Sequence, residues 1–201
     1  MINEHSTREE VLAAVTKDSS ALCYASETLK ADRGFVLAAI AQNGFAFRYA
    51  SDELKNDKEV VLAAVTDNGL ALYLASDDLK NDREVVLAAV AMYGDSLEYA
   101  SEELQNDRDV VLAAIAQNYK SLLNASKELR NDREVVLAAV YHDGRALDFA
   151  SEELQRELKG AWFEDCSTAK ERWDIVNMIE DRRTRKELTE ALKALQKELK
   201  R

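Results

Sequence analysis

The chain has 201 residues, 47% of them apolar and 32% charged, with a formal net charge of −11, a composition that suits one domain or a repeat array with a real core. No apolar run approaches the roughly 20 residues needed to cross a bilayer. The start, MINEHSTREE, has neither a basic nor an apolar signal region, so a cytoplasmic location is expected, or export by a route that needs no secretory signal.

In chain order, the first predicted element opens at Thr7, which forms a capping box with Glu10. From there a phrase returns every 25 residues: DREVVLAAV at Asp82–Val90 and Asp132–Val140, with close variants starting at Asp32, Asp57 and Asp107. A fixed period of this kind marks a solenoid, whose units bury their apolar faces against their neighbours. The stretch from Asp57 to Asn81 shows one unit. Asp57 caps a helix carrying Val60-Val61-Leu62-Ala63-Ala64-Val65, apolar on nearly all sides, with Asn68-Gly69 as its terminator. A shorter helix around Ala71–Ala75 follows. Ser76 then caps a last turn that begins Asp77-Asp78 and returns Leu79 to the core.

Positions identical in all six copies include the Leu12, Ala13 and Ala14 series, the Ala25 and Ser26 series and the Leu29 series. They are read as structural, the alanines allowing close helix approach. Near Arg156 the pattern stops, and Trp162 and Phe163 stand where Leu and Ala are expected. The predicted fold is therefore all-α: an α-solenoid of about six 25-residue repeats over 1–155, with a helical C-terminal cap over 156–201. In that cap, Thr168 and Glu171 precede Trp173, Val176 and Ile179. Thr184 and Glu187 precede a stripe of Leu188, Leu192, Leu195 and Leu199. The stripe has coiled-coil spacing over only two heptads, so a lid on the last repeat, and a monomer, is expected over a homodimer through these leucines.

Chemistry-bearing patterns are missing. The glycines recur at one phase as Gly44, Gly69, Gly94 and Gly144 rather than in a phosphate loop, and no G-x-S-x-G or H-E-x-x-H segment is present. Cys23 and Cys166 are expected as reduced thiols, and with only His5 and His142 beside them no zinc spacing can be assembled. Recurring pairs such as Asp77-Asp78 and Glu102-Glu103 suit first-turn charges better than a general acid and base. No enzyme, cofactor or metal is expected.

Function is expected at the positions that vary between copies. One row runs Ser20, Phe45, Leu70, Asp95, Lys120, Arg145; a second runs Cys23, Arg48, Tyr73, Glu98, Leu123, Asp148; a loop row runs Lys17, Gln42, Asp67, Met92, Gln117, His142. Their mixture of apolar and charged side chains fits a protein-binding surface, with Phe45, Leu70 and Tyr73 as its apolar centre. The alternative is that the rows are merely solvated, with Phe45 and Leu70 packing under the next repeat. Tyr119 stands where the other turns have glycine or serine and is added to the candidate set. The candidate residues are thus Phe45, Arg48, Leu70, Tyr73, Met92, Asp95, Glu98, Tyr119, Lys120, Leu123, His142 and Arg145.

The D-R-E-V-V-L-A-A-V phrase, followed by N-G and then A-L-x-x-A-S-x-x-L-K-N-D, resembles an uncharacterised bacterial and viral repeat family known only as a domain of unknown function, over about residues 7–155. That resemblance implies an interaction module, of a kind found in strings in bacterial proteins, some resembling effectors of intracellular pathogens, and in large viruses. Residues 1–155 hold 15 Lys and Arg against 28 Asp and Glu, a net of −13, while 156–201 carry +2. A non-catalytic scaffold for a protein partner with a basic surface is therefore expected. The runner-up is an acidic inhibitor, of the anti-defence or immunity type, that blocks a basic nucleic-acid-binding cleft on an enzyme. Direct nucleic-acid binding is disfavoured by the charge, and membrane binding is not expected.

Overall fold

The computed structural model describes residues 2–160, which are helical with no strand among them. The chain falls into two compact units, Met1–Ser101 and Glu102–Arg201. The described part of each is a stretch of α-solenoid built from the same three-part repeat. No helix of the described residues is long and apolar enough to cross a membrane.

In the first unit the long helices are Arg8–Val15, Arg33–Gln42, Lys58–Asp67 and Arg83–Met92. Each of the last three starts on an aspartate: Asp57 Oδ1 accepts from the amides of Glu59 and Val60 at 3.0 and 3.1 Å. The first starts on Thr7, and both halves of its capping box with Glu10 are present. The long helices lie side by side, and beside them runs a second layer of six-residue 3-10 helices, Ser19–Tyr24, Gly44–Tyr49, Gly69–Leu74 and Gly94–Tyr99. The core fills the space between the layers. In the third repeat Val60, Val61, Ala64 and Val65 are sealed from one side and Ala71 and Leu72 from the other. Burying a leucine this fully contributes about 1.5–3 kcal/mol. One-turn helices, Glu27–Lys30, Asp52–Lys55 and Asp77–Lys80, close the repeats.

Two sets of bonds join successive repeats off the core. The amide of Ser76 donates to the carbonyl of Lys55 at 3.1 Å, and Ser76 Oγ donates to Asn56 Oδ1 at 2.6 Å while accepting from the Leu79 amide. The serine series is thus both cap and clasp. The capping aspartates also take an ion pair from the preceding repeat: Arg8 reaches Asp32 and Arg33 reaches Asp57, both at 2.7 Å, and Lys58 reaches Asp82 at 2.8 Å.

The second unit repeats this scheme with long helices Arg108–Gln117 and Arg133–His142, 3-10 helices Tyr119–Asn124 and Gly144–Phe149, and one-turn helices Glu102–Gln105 and Lys127–Arg130. Its last element, Glu152–Gly160, is longer. It runs on through residue 156 with Leu154 and Leu158 buried, and Glu157 takes the ion pair from Arg133 at 2.7 Å. The cap residues Trp162, Phe163, Cys166, Thr168, Trp173, Val176, Ile179, Thr184, Leu188, Leu192, Leu195 and Leu199 lie outside the described residues.

Three sequence-based expectations change. The short helices are 3-10 rather than α. The long helices end at Asn43-Gly44 and Asn68-Gly69 as expected, but not on a left-handed glycine: no described residue has positive φ, and Asn43 and Asn68, which close those helices, also cap the 3-10 helix that follows, accepting from the amides of Phe45 and Leu70. Of the invariant Leu-Ala-Ala, the second alanine is fully buried in repeats two to six, at Ala39, Ala64, Ala89, Ala114 and Ala139, and the leucine and first alanine join it only in repeats five and six, at Leu112, Ala113, Leu137 and Ala138. Leu37, Ala38, Leu62, Ala63, Leu87 and Ala88 look outward and are half-buried.

Candidate partner-binding surface

The 3-10 helices decide which side chains reach solvent. With three residues per turn, positions i and i+3 lie one above the other. Phe45 with Arg48, and Leu70 with Tyr73, therefore form columns, while Ala46, Phe47, Ala71 and Leu72 turn inward and are buried. The two rows seen in the sequence are thus one face. Its backbone is held by the capping asparagines, whose bonds to the Phe45 and Leu70 amides measure 3.1 and 3.2 Å.

In the first unit this face is apolar and open. Phe45 is 64% exposed, Tyr73 62% and Leu70 40%, so Phe45 and Leu70 do not pack under the next repeat. Tyr73 sets its edge against Tyr99, with ring centroids 5.3 Å apart. Arg48 and Glu98 are exposed on the same helices, and Asp95 is half-buried. Met92 stands exposed at the end of its long helix.

Two tyrosines were missed in the sequence. Tyr24, at the end of the first 3-10 helix, and Tyr93 are both exposed. Tyr93 occupies the phase where Asn43 and Asn68 cap, and it gives no side-chain cap bond. The signal was present: Tyr93-Gly94 breaks the Asn-Gly pattern as plainly as Asn118-Tyr119 does.

The second unit presents a different surface. Tyr119 is half-buried and stacks on Phe149 with centroids 6.3 Å apart. Arg145 lies over the Tyr119 ring at 5.7 Å and grips the Asp143 carboxylate with Nε and a terminal nitrogen, at 2.6–3.1 Å. The Arg145 bonds, with help from its own amide and from Tyr119, hold the Asp143 carboxyl down to about 2. Tyr119 and Arg145 are therefore already engaged with their own chain. Lys120 and Leu123 are exposed on one 3-10 helix, and His142 is exposed at the end of the long helix with its ring edge-on to Tyr141.

No curated protein and no solved structure matches the chain. A family model does match, five times in tandem, over residues 7–55, 32–80, 57–105, 82–130 and 107–155, each window covering two successive repeats. Its first and last boundaries are those of the described array, from the Thr7 cap to the residue before Arg156. The chain belongs to the family described as domain of unknown function DUF4116.

Proposed function

We propose that this chain is a non-catalytic binding module that holds a protein partner on the open 3-10 face of residues 1–101. The observation that carries the reading is the grouping of Phe45, Leu70 and Tyr73, all large and apolar and each at least 40% exposed, on neighbouring helices whose backbones are fixed by caps. Apolar anchors on a rigid frame supply most of the energy of many interfaces. The partner surface that suits them is apolar at its centre and basic at its rim, because the array around the patch is acidic.

The test is affinity capture with the full chain, followed by titration of whatever is retained. Phe45→Ala and Tyr73→Ala are each expected to weaken binding by about 2 kcal/mol, close to thirtyfold. Binding that ignores both substitutions and collapses between low and high salt would reject this face in favour of an acidic inhibitor of a basic cleft.

A further inference from the structure

The second unit completes on its own 3-10 face a set of groups that the first unit leaves open. Tyr119 stacks on Phe149, and Arg145 lies 5.7 Å over the Tyr119 ring while its guanidinium holds the Asp143 carboxylate at 2.6–3.1 Å. An aromatic pair, a carboxylate and a stacked cation thus satisfy one another. In the first unit Tyr73 and Tyr99 make the corresponding pair across neighbouring 3-10 helices, with centroids 5.3 Å apart. Tyr99 and Phe149 are each the last residue of their 3-10 helix, and Asp95 stands second in its helix, the place of Arg145 in the other. An acid therefore replaces the cation, and the exposed Glu98 beside Tyr99 adds a second. Among the described residues no cation lies over Tyr73 or Tyr99, and Tyr73 is 62% exposed.

We infer that the Tyr73–Tyr99 pair is the seat of an arginine of the protein partner, its guanidinium stacked on the Tyr73 ring in the negative field of Asp95 and Glu98. This rests on the reading of the 3-10 face as the partner surface and names the side chain that the partner brings to it. Arginine suits the seat better than lysine, because a planar guanidinium covers a ring and offers donors to carboxylates in its own plane at once. The chain uses that combination elsewhere: Arg8 lies 5.0 Å over Phe35 while pairing with Asp32 at 2.7 Å. A carboxylate already bonded to its own chain can still serve. Asp143 accepts from the Arg145 amide as a helix cap and from the guanidinium together. Long-range charge acts in the same direction, since residues 1–155 carry −13. Phe45 and Leu70, exposed on the same face, then meet an apolar neighbour of that arginine.

The test selects a displayed library of random peptides, about a dozen residues long, on the full chain, then titrates the enriched peptides made synthetically. Enriched sequences are expected to carry arginine next to an apolar residue. Changing that arginine to lysine should weaken binding about fivefold or more. On the protein side, Tyr73→Phe should bind as the parent does, whereas Tyr73→Leu, which keeps apolar bulk but no ring, should lose about as much as the lysine peptide. Enriched peptides without arginine would overturn the inference, as would lysine binding as well as arginine, or Tyr73→Leu binding as well as Tyr73→Phe. If such peptides still lose binding on Phe45→Ala, the 3-10 face stands as a partner surface and only the arginine seat falls. Peptides that ignore both Phe45→Ala and Tyr73→Leu, or a library that yields no binder, count against seat and face alike. Should Tyr73→Leu melt well below the parent chain, the arginine and lysine peptides compared on the unaltered chain decide alone.

Discussion

Gly69→Ala isolates the contact that sets the spacing of the two helical layers. A methyl group built on Gly69 would stand 2.4 Å from the carbonyl oxygen of Ala89 and 2.9 Å from Ser96 Oγ. That is roughly 1 Å short of van der Waals contact with a backbone atom. The oxygen cannot retreat freely, because it accepts from the Tyr93 amide at 2.9 Å and so ends the next long helix. Overpacking of this kind costs about 1–3 kcal/mol. Loss of glycine's freedom in the unfolded chain offsets about 0.5 kcal/mol, since φ at Gly69 is not positive. For a chain of this size the net effect is a fall in Tm of roughly 2–8 °C. Gly34→Ala is the matched control: its added carbon would meet nothing closer than 3.6 Å, so helix propensity and entropy should raise Tm by roughly 1–4 °C. Differential scanning calorimetry on the two variants measures both signs. A Gly69→Ala chain that melts at or above the parent temperature would refute the close-approach reasoning.

Ala89→Leu places a leucine at a fully buried position and should cost about 1–3 kcal/mol in urea titration, whereas Ala88→Leu, one residue earlier and half-buried, should stay within about 0.5 kcal/mol. Arg145→Ala should return the Asp143 carboxyl from about 2 toward its free value near about 4, as carbon-detected NMR titration would record. Asp57 and Asp82 have carboxyls held below their usual range: Arg33 is the main cause at Asp57, and at Asp82 the pull of Lys58 and the Val85 amide overcomes burial. A depressed carboxylate contributes stability above the unfolded pKa and loses it as pH falls through the folded one, so the urea midpoint should drop below about pH 4. Asp57→Asn with Asp82→Asn keeps both caps and should flatten that drop.

Much of the fold was legible because caps and core are written in residue type. Aspartate before a run of valines and alanines, Thr7 with Glu10, and serine before an acidic turn all read as helix N-caps, and the structure uses them as such. The rest was hidden because letters report a constraint without its kind. A six-residue segment such as Gly69–Leu74 reads alike at 3.0 or 3.6 residues per turn, so the letters group Phe45, Leu70 and Tyr73 without showing that Phe45 stands over Arg48 and Leu70 over Tyr73. Asn68-Gly69 spells a helix end, yet the asparagine caps forward and the glycine makes room for the Ala89 carbonyl. Tyr119 and Arg145 stood out as variants, but their mutual packing with Asp143 and Phe149 spans 30 residues and has no local signature.

The groups that fix one repeat on the next explain why the open face is free to vary. Register comes from the Ser76–Lys55 backbone bond, the Ser76–Asn56 clasp and the Asp82–Lys58 pair, none of which involves the residues of the Phe45 and Tyr73 columns. The 3-10 backbone under those columns is held by Asn43 and Asn68 and by the inward neighbours Phe47 and Leu72. Side chains at 45 and 73 can therefore change without loosening the stack. Phe45→Ala should shift stability by no more than about 0.5 kcal/mol, and Tyr73→Ala by about 0.5–1.5 kcal/mol because its edge contact with Tyr99 is lost. Circular dichroism melts of the two variants measure this directly. Destabilisation above about 2 kcal/mol at Phe45 would mean that its ring braces the layer, and a loss of binding there could no longer be read as loss of a contact with a partner.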